Sequence, residues 1–211
     1  MEKIIQFLKK LPIDVGQGEK KYDTAGKRIA FSAVEEGTDN IAVDVGCRDG
    51  YWTERLKTRG YRVYALDSKP DYPEAILHDI EQGLPFPDRS VDLVWCTEVI
   101  EHLYRPHFFF QEVERVMKPG GRSVITTPNS HWWFYWVVRP LGWTPQKLQN
   151  PDHKQFFSIQ AIRKFAEGYD IFGYFPYALF FFCITRAVGA LSPTFILVRR
   201  FPRASKSANL P

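Results

Sequence analysis

Two carboxylates and an imidazole lie close together in the stretch Glu98-Val99-Ile100-Glu101-His102. If this stretch is helical, side chains three and four positions apart share one face, so Glu98, Glu101 and His102 would point the same way. Such a group could bind a divalent cation, because carboxylate oxygens and imidazole nitrogens are common metal ligands. It could equally accept a proton, position a substrate or serve the structure alone. We take Glu101 and His102 as candidate catalytic residues and assign no metal ligand, with a divalent cation as the alternative.

Further acidic residues follow two predicted strands. Asp67 ends the run 61–67, and it follows Asp44 at about the spacing at which an acid after a second strand meets a ribose diol. Asp79 follows a shorter strand. Its carboxylate could accept from an exocyclic amine while the backbone N–H of Ile80 donates to a ring nitrogen. These residues predict contacts with a ribose and an adenine edge, although Asp79 could also be a turn or cap residue.

A glycine-containing loop joins a predicted strand to a predicted helix. Residues 41–45 are an apolar run typical of a buried parallel strand, and residues 51–56 begin a helix. Gly46 and Gly50 between them allow a tight turn and the close approach of a ligand. Free backbone N–H groups are expected at the start of such a helix, where the helix dipole is positive. The arrangement predicts a nucleotide-type cofactor site.

Strands and helices alternate from residue 41 to residue 127, which predicts an α/β fold with a parallel sheet covered on both faces. A helix over about 106–117 is expected to end at the breaker Lys118-Pro119-Gly120-Gly121. Ligands of such sheets bind beyond the carboxyl ends of the strands, where the acids described above fall, so one shared site is predicted. The strands are expected near residues 41–45, 62–66, 75–78, 91–96 and 122–127.

The motif Asp44-Val45-Gly46-Cys47-Arg48-Asp49-Gly50 resembles D/E-x-G-x-G-x-G, the first motif of class I methyltransferases that use S-adenosylmethionine. The members that it resembles are methyltransferase type 11 and ubiquinone-biosynthesis O-methyltransferases. The resemblance implies a doubly wound Rossmann-like sheet of about seven strands, mostly parallel with an antiparallel last strand. It also implies S-adenosyl-L-methionine as cofactor and S-adenosyl-L-homocysteine as product. It continues through Asp67, His78-Asp79-Ile80, residues 84–94 and 98–103, Met117–Arg122 and Thr127-Pro128-Asn129.

The resemblance also implies a set of cofactor contacts. Arg48 stands where the family pattern has its middle glycine. Its guanidinium could pair with the carboxylate of the cofactor's methionine part, point into solvent or obstruct binding. The E-x-x-E-H spacing resembles that of metal-binding methyltransferases acting on catechol-like quinone precursors and on RNA 3′ ends, but members without a metal carry it too. The expected cofactor-binding residues are Asp44, Gly46, Cys47, Arg48, Gly50, Asp67, Ser68, Asp79, Ile80, Thr97 and Glu98.

Composition narrows the class of protein. The 211 residues, 45% hydrophobic and 25% charged, are typical of a soluble globular protein with one large core. A net charge of +4 permits an acidic ligand or an anionic surface but does not indicate nucleic acid. The three cysteines are far apart and form no CxxC, so neither a zinc site nor a disulfide framework is indicated. We therefore expect a reduced, cytoplasmic setting, with peripheral contact to a membrane as an addition.

We divide the chain into an N-terminal helical segment (1–38), a cofactor-binding core (39–128), an aromatic insertion acting as a lid (129–157), a C-terminal helix with the last strands (158–200) and a basic tail (201–211). Residues 1–11 predict an amphipathic helix that packs on the domain or lies on a membrane. A second helix is expected over about 22–36.

The sequence after residue 129 is unusually rich in aromatic residues. Residues 130–136 contain three tryptophans, and an insertion here would sit above the cofactor as a substrate lid. Residues 152–158 resemble a turn common in the family, with Ser158 as the N-cap of a helix to about 167. His153 in this turn could face the substrate or be a buried structural histidine, and we include it among the catalytic candidates. The apolar stretch 171–198 predicts strands and could belong to the core, the lid or a membrane-facing surface.

These observations predict a class I methyltransferase that moves a methyl group to a small or lipid-like acceptor, with oxygen as the expected acceptor atom. His102 or His153 would assist as a general base. Two other classes stay open. A nicotinamide-dependent oxidoreductase shares the acid after the second strand but needs G-x-G-x-x-G, which Gly46 and Gly50 do not supply. A non-catalytic binding or scaffold protein would follow if Arg48 had degraded the first motif.

Overall fold

The computed structural model describes residues 23–149, 152–177 and 180–203. The predicted amphipathic helix over 1–11 and most of the predicted basic tail lie outside these ranges.

A single eight-stranded sheet runs through the described part of the chain, in the order β3-β2-β1-β4-β5-β8-β6-β7. Strands β1 to β5 are parallel to one another. Strand β8 is antiparallel to β5 and to β6, and β7 is antiparallel to β6. The strands are β1 (Asn40–Val45), β2 (Tyr61–Asp67), β3 (Ile76–Leu77), β4 (Val91–Thr97), β5 (Met117–Pro128), β6 (Asp170–Tyr177), β7 (Phe180–Ile184) and β8 (Thr194–Arg200).

Helices cover both faces of this sheet. Thr24 caps the first of them by accepting a hydrogen bond from the Lys27 N–H, and Ser158 caps a later one through the Ala161 N–H. Short 3-10 turns lie at Ile80–Gln82, Ile100–His102 and Arg139–Leu141. The α-helices are α1 (Ala25–Ser32), α2 (Tyr51–Thr58), α3 (Pro106–Val116), α4 (Trp133–Val138), α5 (Pro145–Leu148), α6 (Ile159–Arg163) and α7 (Val188–Leu191).

The core has one apolar cluster on each face of the sheet. On one face Phe31 of α1, Trp52 of α2 and Trp95 of β4 form ring contacts with centroids 5.1 to 5.7 Å apart. On the other face α3 packs through Phe109 and Val113 against side chains of β1, β4 and β5. The central strands read as continuous apolar runs because both of their faces are covered.

The predicted parallel sheet with an antiparallel last strand is confirmed. It has eight strands rather than about seven, because the apolar run after β6 turns back and pairs with it as β7. The helix predicted to run to about residue 167 ends at Arg163, and the helix predicted over 22–36 covers only Ala25–Ser32. No helix in the described ranges is long and apolar enough to cross a membrane.

Candidate active site

A cavity of about 670 Å³ opens beyond the carboxyl ends of the parallel strands. Its walls come from the ends of β1, β2, β4 and β5, from α1, and from residues 149 and 152–154. All of the predicted site residues line it except Asp44 and Gly50. The sheet therefore brings together side chains that lie far apart in the sequence.

The loop between β1 and α2 is tied to the end of β2 by its own backbone. The N–H groups of Gly46 and Cys47 both donate to the Leu66 carbonyl, at 2.8 and 3.1 Å, and the Gly50 N–H donates to the Cys47 carbonyl. The Arg48 N–H donates to an oxygen of Asp67 at 2.9 Å. The N–H groups of these four loop residues are therefore already bonded within the protein.

Asp67 lies at the end of β2, and its carboxylate is fixed in orientation. One oxygen accepts the Arg48 N–H and the other accepts the Lys69 N–H, at 2.7 Å. Each oxygen of a carboxylate has a second lone pair, so both retain capacity for another donor. A rigid acceptor pair at this place suits the adjacent hydroxyls of a ribose.

Asp79 both caps a turn and lines the cavity. Its carboxylate accepts from the Glu81 N–H at 3.0 Å and caps the 3-10 turn Ile80–Gln82. The neighbouring Ile80 is buried and also lines the cavity. The cap and the ligand interpretations of Asp79 are compatible, because the capping bond occupies one lone pair of one oxygen.

Asp44 lies beneath the cavity rather than on its wall. Its carboxylate is 2% exposed and accepts a hydrogen bond from the Thr53 hydroxyl at 2.6 Å. Burial raises the pKa of this carboxyl from 3.8 to about 7. Gly50 is also outside the cavity: it begins α2 with φ of 80°, and a side chain there would run into the Tyr72 ring. Both residues hold the loop in place rather than lining the cavity.

The Glu98–His102 stretch does not form the single helical face expected of it. Glu98 has a φ of 58°, and only Ile100–His102 form a 3-10 turn. Consequently Glu98 and Glu101 are held separately: Glu98 accepts from the Thr126 hydroxyl at 2.9 Å, and Glu101 accepts from the Thr127 hydroxyl at 3.0 Å. Both still line the cavity.

Glu101 and His102 meet His153 instead of Glu98. Each of the three residues offers one ligand atom within 4.8 Å of the others, and the two imidazole rings pack edge to face with centroids 4.8 Å apart. The Glu101 carbonyl accepts from the N–H groups of Lys154 and Gln155, both at 2.9 Å. These backbone bonds hold the 152–155 segment against the 3-10 turn and so place His153 in the cavity.

Burial controls the protonation of this cluster. It raises the pKa of Glu101 well above 4.5, with the charge of Glu98 as a second cause. It lowers the pKa of His102 from 6.5, and it lowers the pKa of His153 to about 4, with His102 as a second cause. His102 Nδ1 lies 3.2 Å from the Asp152 carbonyl, so this nitrogen carries the proton and Nε2 is the free acceptor. At neutral pH both imidazoles are uncharged bases.

Two buried polar atoms in this cluster lack a hydrogen-bond partner among the described residues: Glu101 Oε1 and His153 Nδ1. Such atoms are rare because leaving them unpaired costs free energy. Glu101, His102 and His153 together offer one carboxylate and two imidazoles with ligand atoms within 4.8 Å of one another, a donor set that suits a divalent metal ion. The residues therefore fit a cation as well as they fit a proton acceptor.

Two buried polar side chains of the cavity wall were not anticipated. Lys27 of α1 is 8% exposed, and its ammonium group attracts the carboxylates of Asp44 and Glu101 and opposes the rise of their pKa values. Gln149 is 5% exposed and donates to the Tyr135 hydroxyl at 3.1 Å. Lys27 could have been found, because it lies three and four positions before the apolar residues Ala30 and Phe31 on the buried face of the helix.

The tryptophans of the aromatic insertion do not line the cavity. Trp132 packs with Tyr135, Val138, Trp143 and Leu148 in a separate apolar cluster. No described residue of β6 or β7 reaches the cavity either. The insertion therefore reaches the cavity through its polar residues 149 and 152–154 and not through its tryptophans.

An open α/β sheet with a charged cavity beyond its strand ends is typical of proteins that bind a nucleotide-like cofactor. Residues 43–125 match a methyltransferase domain family. A probable S-adenosylmethionine-dependent methyltransferase from Mycolicibacterium smegmatis is 38% identical over 123 residues, which cover 52% of this chain and 45% of that protein. A ubiquinone biosynthesis O-methyltransferase from Idiomarina loihiensis is 28% identical over 164 residues, which cover 67% of this chain and 66% of that protein.

Solved structures show the same fold. A SAM-dependent methyltransferase from Archaeoglobus fulgidus has a TM-score of 0.61 at 17% identity, with 86% of this chain and 97% of that chain covered. The chain is therefore similar to S-adenosylmethionine-dependent methyltransferases over its central part, and it shares their fold. It spans less than two thirds of the length of the two curated relatives described above.

Proposed function

We propose that this chain transfers the methyl group of S-adenosyl-L-methionine to an oxygen atom of a small or lipid-like acceptor. The observation that carries the proposal is a single cavity lined both by a fixed carboxylate, Asp67, and by an uncharged imidazole, His102. The first suits a ribose, and the second suits a hydroxyl that must lose its proton.

The residues of the cavity fit the cofactor in three parts. Asp67 would accept from the ribose hydroxyls, and Asp79 with the Ile80 N–H would read the adenine edge. Lys27, a buried cation on the wall formed by α1, would pair with the carboxylate of the methionine part. The remaining contacts assigned to the cofactor are Gly46, Cys47, Arg48, Ser68, Thr97 and Glu98.

The cofactor supplies an already activated methyl group, so the protein's part is to align the acceptor and accept its proton. His102 Nε2 is the free base, because Nδ1 is engaged by the Asp152 carbonyl. Its lowered pKa keeps it uncharged near neutral pH. His153 packs against it and is the second candidate base, and Glu101 would position both.

An oxygen acceptor is supported by one further observation. The relative from Idiomarina loihiensis is named as an O-methyltransferase, although at 28% identity the name supports only the reaction class. The cavity wall near the two histidines is polar, with Glu101, Gln149 and Lys154 exposed to it. A hydroxylated group suits this lining better than a hydrocarbon.

A divalent cation is a second candidate at the base site, favoured by the unpartnered Glu101 Oε1 and His153 Nδ1. Glu101, His102 and His153 would hold it. It would polarise the acceptor hydroxyl and lower the pKa of that group.

Arg48 does not argue for a non-catalytic protein. Its φ of 50° places it in the left-handed region that the glycine of the family pattern would occupy. Its side chain is exposed, and its carbonyl accepts from the N–H groups of Asp71 and Tyr72. The backbone thus follows the course expected of the motif, at a modest conformational cost.

The test is transfer of a labelled methyl group from the cofactor to a series of hydroxylated aromatic acceptors that differ in alkyl tail length. His102→Gln should lower the turnover number by about 10²- to 10⁴-fold, the usual contribution of a general base. His107→Gln, an exposed histidine outside the cavity, is the matched control and should change nothing. Full activity of His102→Gln, or methylation at nitrogen alone, would contradict the assignment.

An assay with a chelator distinguishes the two interpretations of the histidine cluster. If His102 acts as a base without metal, activity persists in excess EDTA and falls only as acid protonates the imidazole, at a pH below 6.5. If a cation is required, EDTA abolishes activity and Mg²⁺ or Zn²⁺ restores it.

A further inference from the structure

Four exposed apolar side chains lie on one side of the insertion that follows β5. Trp133, Trp136, Val137 and Leu141 expose 38%, 67%, 63% and 63% of their surfaces. Their spacing of three and four positions places them along one side of α4 and the 3-10 turn after it. We call these four side chains the apolar surface. Contiguous exposed apolar groups of this size mark an interaction site more often than a neutral surface.

The segment does not need the apolar surface for its own packing. Its opposite side is already buried, with Tyr135 and Val138 packed in the cluster around Trp132 and Trp143. Trp133 meets that cluster at its edge, through ring contacts with Trp132 and Phe134, whereas Trp136, Val137 and Leu141 are absent from it. The exposed parts of the apolar surface are therefore available for contact with a partner or with lipid.

Only positive charge accompanies the apolar surface. Residues 130–149 contain no Asp or Glu, whereas Arg139 and Lys147 are both exposed. A basic, tryptophan-rich face is the composition that binds the interfacial region of a bilayer with anionic lipids. A second copy of this chain fits less well, because a symmetric contact would bring two such positive faces together.

The insertion that carries the apolar surface also reaches the cavity, through residues near its end. Gln149 ends the same segment, bonds to the Tyr135 hydroxyl and lines the cavity. Lys154, also on the cavity wall, lies with Nζ 3.7 Å from the ring centre of Tyr104, which is 72% exposed. Tyrosine and lysine at such a rim suit the headgroup region.

We propose that the apolar surface, with Arg139 and Lys147, docks the protein on the surface of a bilayer that contains anionic lipids. The tryptophans enter the headgroup boundary, and the two cations pair with lipid phosphates. None of the described helices crosses the bilayer in this arrangement.

Docking here would define the class of acceptor. The cavity is polar near His102 and His153, while the insertion that supplies Gln149 to its wall carries the apolar surface. An amphiphile could place a hydroxylated head in the cavity while its hydrocarbon tail stays in the bilayer. This account of acceptor supply rests on the methyl transfer proposed above, whereas docking itself can be measured without cofactor or turnover.

The experiment is co-sedimentation of the full chain with vesicles of phosphatidylcholine alone or mixed with phosphatidylglycerol. The protein should bind the anionic vesicles, and added salt should weaken binding. Trp136→Ser with Val137→Ser should reduce the partition coefficient roughly tenfold or more, because two interfacial anchors are lost. Arg139→Gln with Lys147→Gln should reduce it by a similar factor. All four side chains are exposed, and thermal melting and circular dichroism check that the variants stay folded.

Matched controls remove similar groups elsewhere. Phe182→Ser deletes an exposed apolar side chain on β7, and Arg163→Gln with Lys164→Gln deletes two exposed cations at the end of α6. Both should bind vesicles as the unmodified chain does. Quenching of tryptophan fluorescence by brominated lipids should fall in Trp133→Phe with Trp136→Phe.

Absence of binding to anionic vesicles would overturn the proposal, and so would unchanged binding by both surface variants. Dimerisation that Trp136→Ser with Val137→Ser abolishes, seen in sedimentation without lipid binding, would assign the surface to a second copy instead. Loss of methyl transfer in the labelled-cofactor assay with intact vesicle binding would overturn the proposed function and leave the docking surface standing.

Discussion

Asp67 links the geometry of the cavity most directly to cofactor binding. Its two oxygens are fixed by the N–H groups of Arg48 and Lys69, so the carboxylate is oriented before any ligand arrives. Pre-oriented acceptors lose little conformational entropy on binding. We therefore expect much of the cofactor's affinity to depend on this one side chain.

Asp67→Asn keeps the size of the side chain but loses the charge and one acceptor. It should weaken binding of S-adenosyl-L-homocysteine by about 1.5–3 kcal/mol, the usual contribution of hydrogen bonds to a charged group. Isothermal titration calorimetry measures the change. Asp88→Asn, an exposed carboxylate bound to Arg115 away from the cavity, should bind as the unmodified chain does. Equal affinities for both variants would remove Asp67 from the cofactor site.

The raised pKa of Asp44 predicts how the stability of the fold depends on pH. Its pKa is 3.8 when unperturbed and about 7 in the fold, because burial disfavours the charged form. The stability gained from its protonated form is complete below pH 3.8 and is lost as the pH rises to about 7. Asp44→Asn cannot ionise, and its amide oxygen can still accept from Thr53.

The free energy of unfolding of Asp44→Asn should therefore rise relative to that of the unmodified chain between pH 4 and 7. The upper limit is about 4 kcal/mol, from about 1.4 kcal/mol per pKa unit. Urea denaturation at several pH values measures the difference. Other groups change the unfolding free energy with pH in the opposite direction, as His153 does through its lowered pKa. These groups are present in both proteins, so their effects cancel in the difference. A difference that does not vary with pH would show that Asp44 is ionised in the fold throughout this range.

At the scale of elements, two loops meet at the cavity floor. Gly46 after β1 has a φ of 75°, and a side chain there would run into Cγ2 of Val99, which precedes the 3-10 turn Ile100–His102. The turn that carries Glu101 and His102 is thus packed directly on the loop that carries the cofactor motif. A substitution in one loop should therefore alter the packing of the other.

Gly46→Ala should destabilise the protein by about 2–4 kcal/mol, through the steric conflict and the unfavourable φ together. Val99→Ala removes only the conflict, so the double variant should recover part of the loss and not all of it. Thermal or urea unfolding of the four proteins in this cycle gives the coupling. Full additivity would mean that the two loops move apart without cost. Gly142→Ala is the control, with a similar φ but only the end of the Lys147 side chain near the added methyl group.

Most elements could be predicted from the sequence because their signals are local. The apolar runs of β1 and β4 and the Lys118-Pro119-Gly120-Gly121 breaker specify strands and a helix end regardless of context. The strand β7 was not predicted as a partner of β6, because an apolar run alone does not say whether the chain turns back. The predicted helical face shared by Glu98 and Glu101 was wrong for another local reason. The backbone at Glu98 has a positive φ, which cannot be predicted from the residue type.

Site residues could be predicted from the sequence only where a motif fixes their positions relative to the ends of strands. Asp67 and Asp79 follow strand ends, so topology alone carries them to the cavity. Asp44 also follows this pattern, yet its side chain is turned under the loop toward Thr53, and sequence does not report that direction. The partnership of His102 with His153 depends on backbone bonds between Glu101 and residues 154 and 155, which join segments far apart in the chain.

At the scale of the whole molecule, the cavity has walls from segments far apart in the described chain. Lys27 comes from α1 and His153 from near the end of the insertion, while Asp67 and Glu98 lie at strand ends between them. A ligand that fills the cavity would therefore connect elements that otherwise meet only through the core. Its binding should stabilise the folded state as a whole.

S-adenosyl-L-homocysteine at a hundredfold excess over its dissociation constant should stabilise the fold by about 2.7 kcal/mol. For a chain of this size that corresponds to a rise in Tm of about 5–10 °C, measured by differential scanning calorimetry. NAD at the same concentration should leave Tm nearly unchanged, because the first loop lacks G-x-G-x-x-G and its N–H groups at Gly46, Cys47 and Arg48 are already bonded within the protein. Asp67→Asn should show a smaller rise than the unmodified chain at equal ligand concentration. A larger shift with NAD would assign the cavity to a dinucleotide, and no shift with either ligand would favour a protein that has lost its cofactor.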